Sequence, residues 1–184
     1  MPTTCGRTQL FPDRLRCMTK DRGDGPLDEL QFRAWRSFLY TYSLVVPTLD
    51  RELVMAQGLS FNQFEVLVWL RLAGERGLRM SDLASRVVLS PSGVTRAVDQ
   101  LERKGLVERR VFEGDKRGQL ATITAEGRAL LRKATKSHLQ GLREHFLGHL
   151  SRTDLEHLAT AMEAVLTGEG SPLPPLAAEG SSKR

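Results

Sequence analysis

Ser90, Ser92, Thr95 and Arg96 put three hydroxyls and one guanidinium into seven residues of the run SPSGVTRAVDQLERKG, Ser90 to Gly105. Hydroxyls of this kind bond phosphate oxygens or base edges, and a guanidinium can grip a guanine by two parallel hydrogen bonds. The spacing around them predicts a helix. Ser90 suits the N-cap and Pro91 the first helical position, where a missing N–H costs nothing. Val94, Ala97, Val98 and Leu101 form one apolar stripe, and Gly105 suits the left-handed residue that ends a helix. The first turn is small and uncharged, so it can come close to a polyanion, and its free N–H groups favour one. An ordinary amphipathic surface helix would show the same stripe, so both readings fit this stretch alone.

The elements around it bear on the choice. Asp82 to Val87 reads as a short helix capped by Ser81, with Leu83 and Ala84 inside and a tight turn before Ser90, which makes a helix-turn-helix unit. Behind Gly105 the period changes to that of strands, Leu106 to Phe112 and Leu120 to Thr124, around a polar tip of residues 113–118. A hairpin in that place is a wing. Ser60 and Gln63 predict a capping box on a preceding helix that buries Phe64, Leu67, Val68 and Leu72, with Leu59 against Phe64 as a staple.

Two further segments flank this lobe. Phe32, Trp35, Leu39, Tyr42, Val46, Leu49 and Leu53 are spaced 3-4-3-4-3-4, a heptad-like seam that calls for a second helix, in the same chain or in a partner. Pro47 predicts a kink near residues 43–47, and Gly58 an end. After the wing, Thr124 caps a helix to about Leu147. Ser151 or Thr153 caps a last one, with Leu155, Leu158, Met162 and Val165 on one side. The expected organisation is a leader (1–26), a first seam helix (27–58), a winged helix-turn-helix lobe (59–124), two further helices (125–168) and a polar tail (169–184). Pro, Gly and mixed charges fill the leader and Gly, Ser and Pro the tail, so both are expected to be disordered. Met18 offers a second start.

The bulk numbers narrow the function classes. A formal charge of +5 in 184 residues, with a pI near 9.6, agrees with an anionic partner. Residues 79–120 hold nine basic and six acidic side chains, too small an excess to decide by itself. No apolar run reaches the ~20 residues of a membrane span. No secretory h-region opens the chain, and a cytoplasmic location is the expectation. Cys5 and Cys17 make no disulfide framework. The sequence offers no phosphate-cradling glycine loop, no Ser or Cys beside a base and no paired carboxylates, so no enzyme and no cofactor is expected.

The ordered run from about Ala34 to Gly168 resembles the MarR family of winged-helix transcription regulators. Met80–Ala84, Ser90–Arg96, Leu101–Val107 and Arg109-Arg110 carry the likeness, with the wing signature Asp115-Lys116-Arg117 and the run Ile123–Gly127 after it. Gly114 and Gly118 depart from the pattern by flanking a compact tip. The resemblance implies a mainly α fold with a small β-wing, in which the first and last two helices intertwine in a homodimer. It further implies that two lobes straddle a palindromic double-stranded DNA operator, with half-sites about one helical turn (~34 Å) apart. Pro91, Ser92, Gly93, Thr95 and Arg96 are then the front of the recognition helix, with Arg96 reading guanine. Arg117 would enter the minor groove, oriented by Asp115, while Arg86, Lys104, Arg109 and Lys116 would meet phosphates.

A small-molecule effector, aromatic or phenolic, is implied too, and repression is the family's usual mode. Trp35, Arg36, Phe38, Tyr42 and Trp69 are the residues that could line its crevice, although Trp35 and Tyr42 equally fit the seam. Three alternatives share the fold. His138, His145 and His149 lie on one helical side and could meet zinc, with Glu144 or Glu156 as a further ligand. Cys17 could act as a redox sensor, but it precedes the first helix. A winged helix used only for protein contact would need neither a basic wing nor two seams.

Overall fold

The structure, a computed structural model, describes residues 25–112 and 115–170, with the side chains of 111–119 left aside. Six helices and one three-stranded sheet make up the described chain: α1 (Glu29–Gln57), α2 (Phe61–Ala73), β1 (Leu78–Arg79), α3 (Met80–Ala84), α4 (Pro91–Arg103), β2 (Val107–Phe112), β3 (Asp115–Ile123), α5 (Ala125–His145) and α6 (Arg152–Gly168). This is the mainly α architecture with a small β-wing. The expected leader and most of the expected tail fall outside the described residues, as do Cys5, Cys17 and the tip residues Glu113 and Gly114.

The chain divides into two compact units, residues 1–44 and residues 45–184. In the first, the opening half of α1 starts on a reciprocal cap: Gln31 donates its N–H to Asp28 Oδ1 (2.8 Å) and its own side chain accepts from Asp28 N (3.0 Å). Apolar side chains cover this half and stay in the open. Trp35 is 53 % exposed, Leu39 42 % and Tyr42 57 %. The seam therefore has two fates, since further along the same helix Leu49 and Leu53 are buried. α1 runs unbroken through Pro47.

In the second unit one core joins Leu53 of α1, Phe64, Val66, Leu67 and Leu70 of α2, and the α4 stripe Val94, Ala97, Val98 and Leu101, with Ile123, Leu131 and Ala134 beyond. Ser60 closes the expected capping box with Gln63, and Gly58 ends α1 at φ 66°. The sheet order is β1-β3-β2, all antiparallel.

Three local expectations need correcting. β1 was not anticipated: two residues show no period, and pairing of Leu78 with Ala121 and Arg79 with Leu120 creates it. Because Arg79 is also the N-cap of α3, Ser81 sits inside the first turn and caps nothing, and the helix stops at Ala84. β3 starts at Asp115 rather than Leu120: Asp115 pairs with Phe112 and Gln119 with Val111, so the register shifts between Val111 and Phe112. On the last helix Ser151, not Thr153, is the cap, reciprocated by Asp154. α6 has no buried residue among its seventeen, and its Val165 is 59 % exposed.

Candidate nucleic-acid interface

The N-terminal turn of α4 is built from behind. Ser90 takes an extended conformation and accepts the Gly93 N–H through its hydroxyl (3.2 Å). With Pro91 next, the backbone is set for a helix before any side chain packs. Val94, Ala97, Val98 and Leu101 then clamp one side of α4 to the core. What remains outside is Pro91, Ser92, Thr95 and Arg96, all exposed, with Gly93 half-buried. Ser92 Oγ lies 3.2 Å from Ser90 Oγ, and Thr95 donates its hydroxyl to Pro91 O (3.1 Å), leaving lone pairs outward. Arg96 forms no ion pair among the described residues. The tip thus offers hydroxyls, amides and one guanidinium with no carboxylate in its first turn.

The far end of α4 is joined to the wing by directional bonds. Gly105, at φ 70°, takes the left-handed step, Leu106 donates its N–H to Leu101 O (2.9 Å) and Gly105 to Glu102 O (2.8 Å). Those two bonds complete a Schellman stop. Thr124 then ties three elements together: its hydroxyl donates to Gly105 O (2.8 Å) and accepts the Gly127 N–H (3.0 Å), and its own N–H reaches Leu106 O (3.1 Å). The wing strands and the start of α5 are therefore fixed relative to the recognition helix. Asp115, Lys116 and Arg117 lie in β3, and their side chains fall outside the described residues.

The other basic residues divide. Arg86 is exposed in the turn after α3, its guanidinium 5.5 Å from the centroid of the Trp69 ring, a cation–π pair that restricts it without spending its N–H donors. Trp69 is thereby placed beside a cation at the helix-turn-helix unit. Arg109 is bound inside the protein: its Nη2 meets Asp99 Oδ1 (2.5 Å) and its Nη1 Glu102 Oε2 (3.1 Å), with the side chain only 20 % exposed. Lys104 is engaged too. Its Nζ donates to Gly58 O (2.8 Å) and to Gln63 Oε1 (3.4 Å).

Two titrating groups sit behind this surface. Burial pushes the Glu65 carboxyl above the usual carboxylate range, partly offset by a hydrogen bond from the Val88 N–H in the turn that leads to α4. Glu65 Oε2 has no partner. Burial also lowers the pKa of His138, whose ring lies 4.8 Å from Phe64 and 5.7 Å from Phe61. His145 faces a carboxylate, Glu52 Oε1, at 2.6 Å. Among the described residues no group of three His, Cys, Asp or Glu side chains is arranged to hold a metal.

Within residues 25–44, Trp35 stacks on Phe38 with centroids 6.0 Å apart. Arg36 lies 5.4 Å from the Phe32 ring and 5.2 Å from the Tyr40 ring, and its Nη2 donates to Tyr40 OH (3.2 Å). Tyr42 is exposed on the same stretch. The residues that sequence reasoning missed are Gln63 and Gln100 as a pair, and Trp69 as a rest for Arg86. A buried glutamine opposite a second glutamine has no signature in spacing.

Known proteins share this arrangement. The MarR family model matches residues 57–118, which span the turn after α1 to the wing. The regulator PecS of Dickeya dadantii is 29 % identical over 129 residues, 68 % of this chain and 77 % of its own. The transcriptional repressor MprA of Escherichia coli strain K12 is 29 % identical over 121 residues, 59 % of this chain and 69 % of its own. Sco3205, a MarR family transcriptional regulator from Streptomyces coelicolor solved in complex with DNA, is 31 % identical and superposes with a TM-score of 0.73, over 83 % of this chain and 96 % of its own. With that likeness running through nearly the whole of a solved regulator, and the winged helix formed as described, this chain belongs to the MarR family of transcriptional regulators.

Proposed function

We propose that this protein is a dimeric repressor whose two α4 tips enter successive major grooves of a palindromic operator. The observation that carries the reading is the α4 tip itself: Pro91, Ser92, Thr95 and Arg96 exposed, uncharged apart from the guanidinium, and held rigidly by cap, stripe and Thr124 bracket. In this reading Arg96 reads a guanine edge, worth roughly 1–3 kcal/mol of discrimination. Ser92, Gly93 and Thr95 bond phosphate or base edges, and Arg86 and Lys116 meet phosphates. Arg117 enters the minor groove, with Asp115 as its acceptor. Lys104 and Arg109 are left out, because their cationic ends are already engaged by groups of the lobe itself, Lys104 at its surface.

Repression is in line with MprA, a relative that is itself a repressor. An anionic aromatic effector would suit the exposed aromatic and Arg36 face of α1, and would release the operator by favouring a lobe spacing that does not fit it. Such work on DNA belongs in the cytoplasm, at the nucleoid.

The test is selection from random duplexes followed by titration of the recovered site across salt. An inverted repeat is the expected product. Arg96→Ala should relax preference at one base position, and Lys116→Ala should weaken all sequences evenly and lower the salt slope by about one. Recovery of no preferred sequence, or an identical profile for both variants, would count against the reading.

A further inference from the structure

Gln63 is the most buried polar side chain beside α4, 5 % exposed, and all its bonds lead to helix ends. Its Nε2 donates to Gln100 Oε1 (2.6 Å) on α4. Its Oε1 accepts from Ser60 N (3.2 Å) and from Lys104 Nζ (3.4 Å). The same ammonium reaches Gly58 O (2.8 Å), the carbonyl just past the end of α1. Two turns back along α1, Asp50 Oδ1 accepts the Phe61 N–H (2.7 Å), which fastens the end of α1 to the start of α2.

We propose that Lys104, Gln100 and Gln63 form a clasp that sets the tilt of the recognition helix, making Lys104 a positioning residue rather than a phosphate ligand. The inference rests on the operator-binding reading above. Lys104 is the C-cap of α4, thirteen residues from Pro91. At a rise of 1.5 Å per residue the tip lies about 20 Å away. A rotation of about 5° about the clasped end would move the tip by more than 1 Å, enough to break hydrogen bonds whose lengths vary by only a few tenths of an ångström. The apolar stripe cannot hold that angle alone, because burial is non-directional. Three directional bonds between α4 and its neighbours, Gln63 to Gln100 and Lys104 to Gln63 and to Gly58, can. Because the clasp ends on Gly58 and is backed by Asp50, the angle of α4 follows the last turns of α1.

The roles separate by experiment. Full-length protein, Lys104→Met and Gln100→Leu would be titrated with the selected operator and with a scrambled duplex between 50 and 200 mM salt, and their thermal midpoints recorded. The clasp predicts about a tenfold loss on the operator for both variants, with scrambled-duplex affinity and the salt slope unchanged. A slope lowered by about one for Lys104→Met, with equal loss on both duplexes, would make Lys104 a phosphate ligand and overturn the proposal. A lower midpoint with an unchanged operator-to-scrambled ratio would make the clasp merely structural and overturn it as well. Absence of any operator preference in the unsubstituted protein would instead bring down the regulatory reading itself, and the clasp with it.

Discussion

The imidazole of His138 lies against the rings of Phe64 and Phe61, its Nδ1 buried without a partner. Burial holds the folded pKa below the ordinary histidine value. The unfolded chain then binds the proton more readily than the folded one, so stability falls as pH drops below about 6.5, until the folded form protonates too. His138→Phe keeps a ring and removes the titration. Its thermal midpoint should change less between pH 7.5 and 5.5 than that of the unsubstituted protein. Identical pH profiles would show that His138 does not set this slope. At the same scale, spacing put His138 and His145 on one side of a helix and suggested a metal. The ring contacts of one and the carboxylate of the other come from α1 and α2, far off in sequence, which no local pattern carries.

Elements whose signals are local were legible. Ser90 with Pro91, Ser60 with Gln63, and Gly105 all act within a few residues, and each cap lies where the sequence places it. β1 was not legible, because partners some forty residues away make it, and that pairing also displaced the cap of α3 from Ser81 to Arg79. Lys104 and Arg109 look like free cations for the same reason: Gly58, Gln63, Asp99 and Glu102 become their partners only in three dimensions. The junction between wing and α5 gives a test at this scale. A Cβ on Gly127 would stand 2.2 Å from Leu106 O and 2.8 Å from Ile123 Cγ1, both fixed in the bracket around Thr124. Gly127→Ala should cost at least the ~1–3 kcal/mol typical of an overpacked core. Gly105→Ala meets no atom within 4 Å and bears only the left-handed strain at φ 70°, roughly 1 kcal/mol. Chemical denaturation should rank Gly127→Ala well below Gly105→Ala, and a reversed order would mean that the junction yields.

For the whole molecule, the open question is what covers the apolar side chains that one chain leaves bare. Trp35, Phe38, Leu39, Tyr42 and Leu44 are all at least 42 % exposed on the first half of α1, and α6 buries none of its residues. Isolated exposed apolar residues need no explanation, but a run of them along one helix marks an interaction surface. The heptad-like spacing says what shape of partner fits: another helix, and in a two-fold dimer the same helix of a second copy. A charge placed there should leave each chain folded, since these residues take no part in its buried core, yet prevent pairing. Leu39→Glu should therefore sediment at 20.6 kDa, the mass of one chain, where the unsubstituted protein runs at twice that value. Its far-ultraviolet circular dichroism should be nearly unchanged. On DNA the variant should bind the full inverted repeat no better than a single half-site, because the second lobe no longer arrives with the first. A Leu39→Glu protein that stayed dimeric would move the interface off this helix. An unsubstituted protein at 20.6 kDa would remove the two-fold partner on which operator symmetry depends.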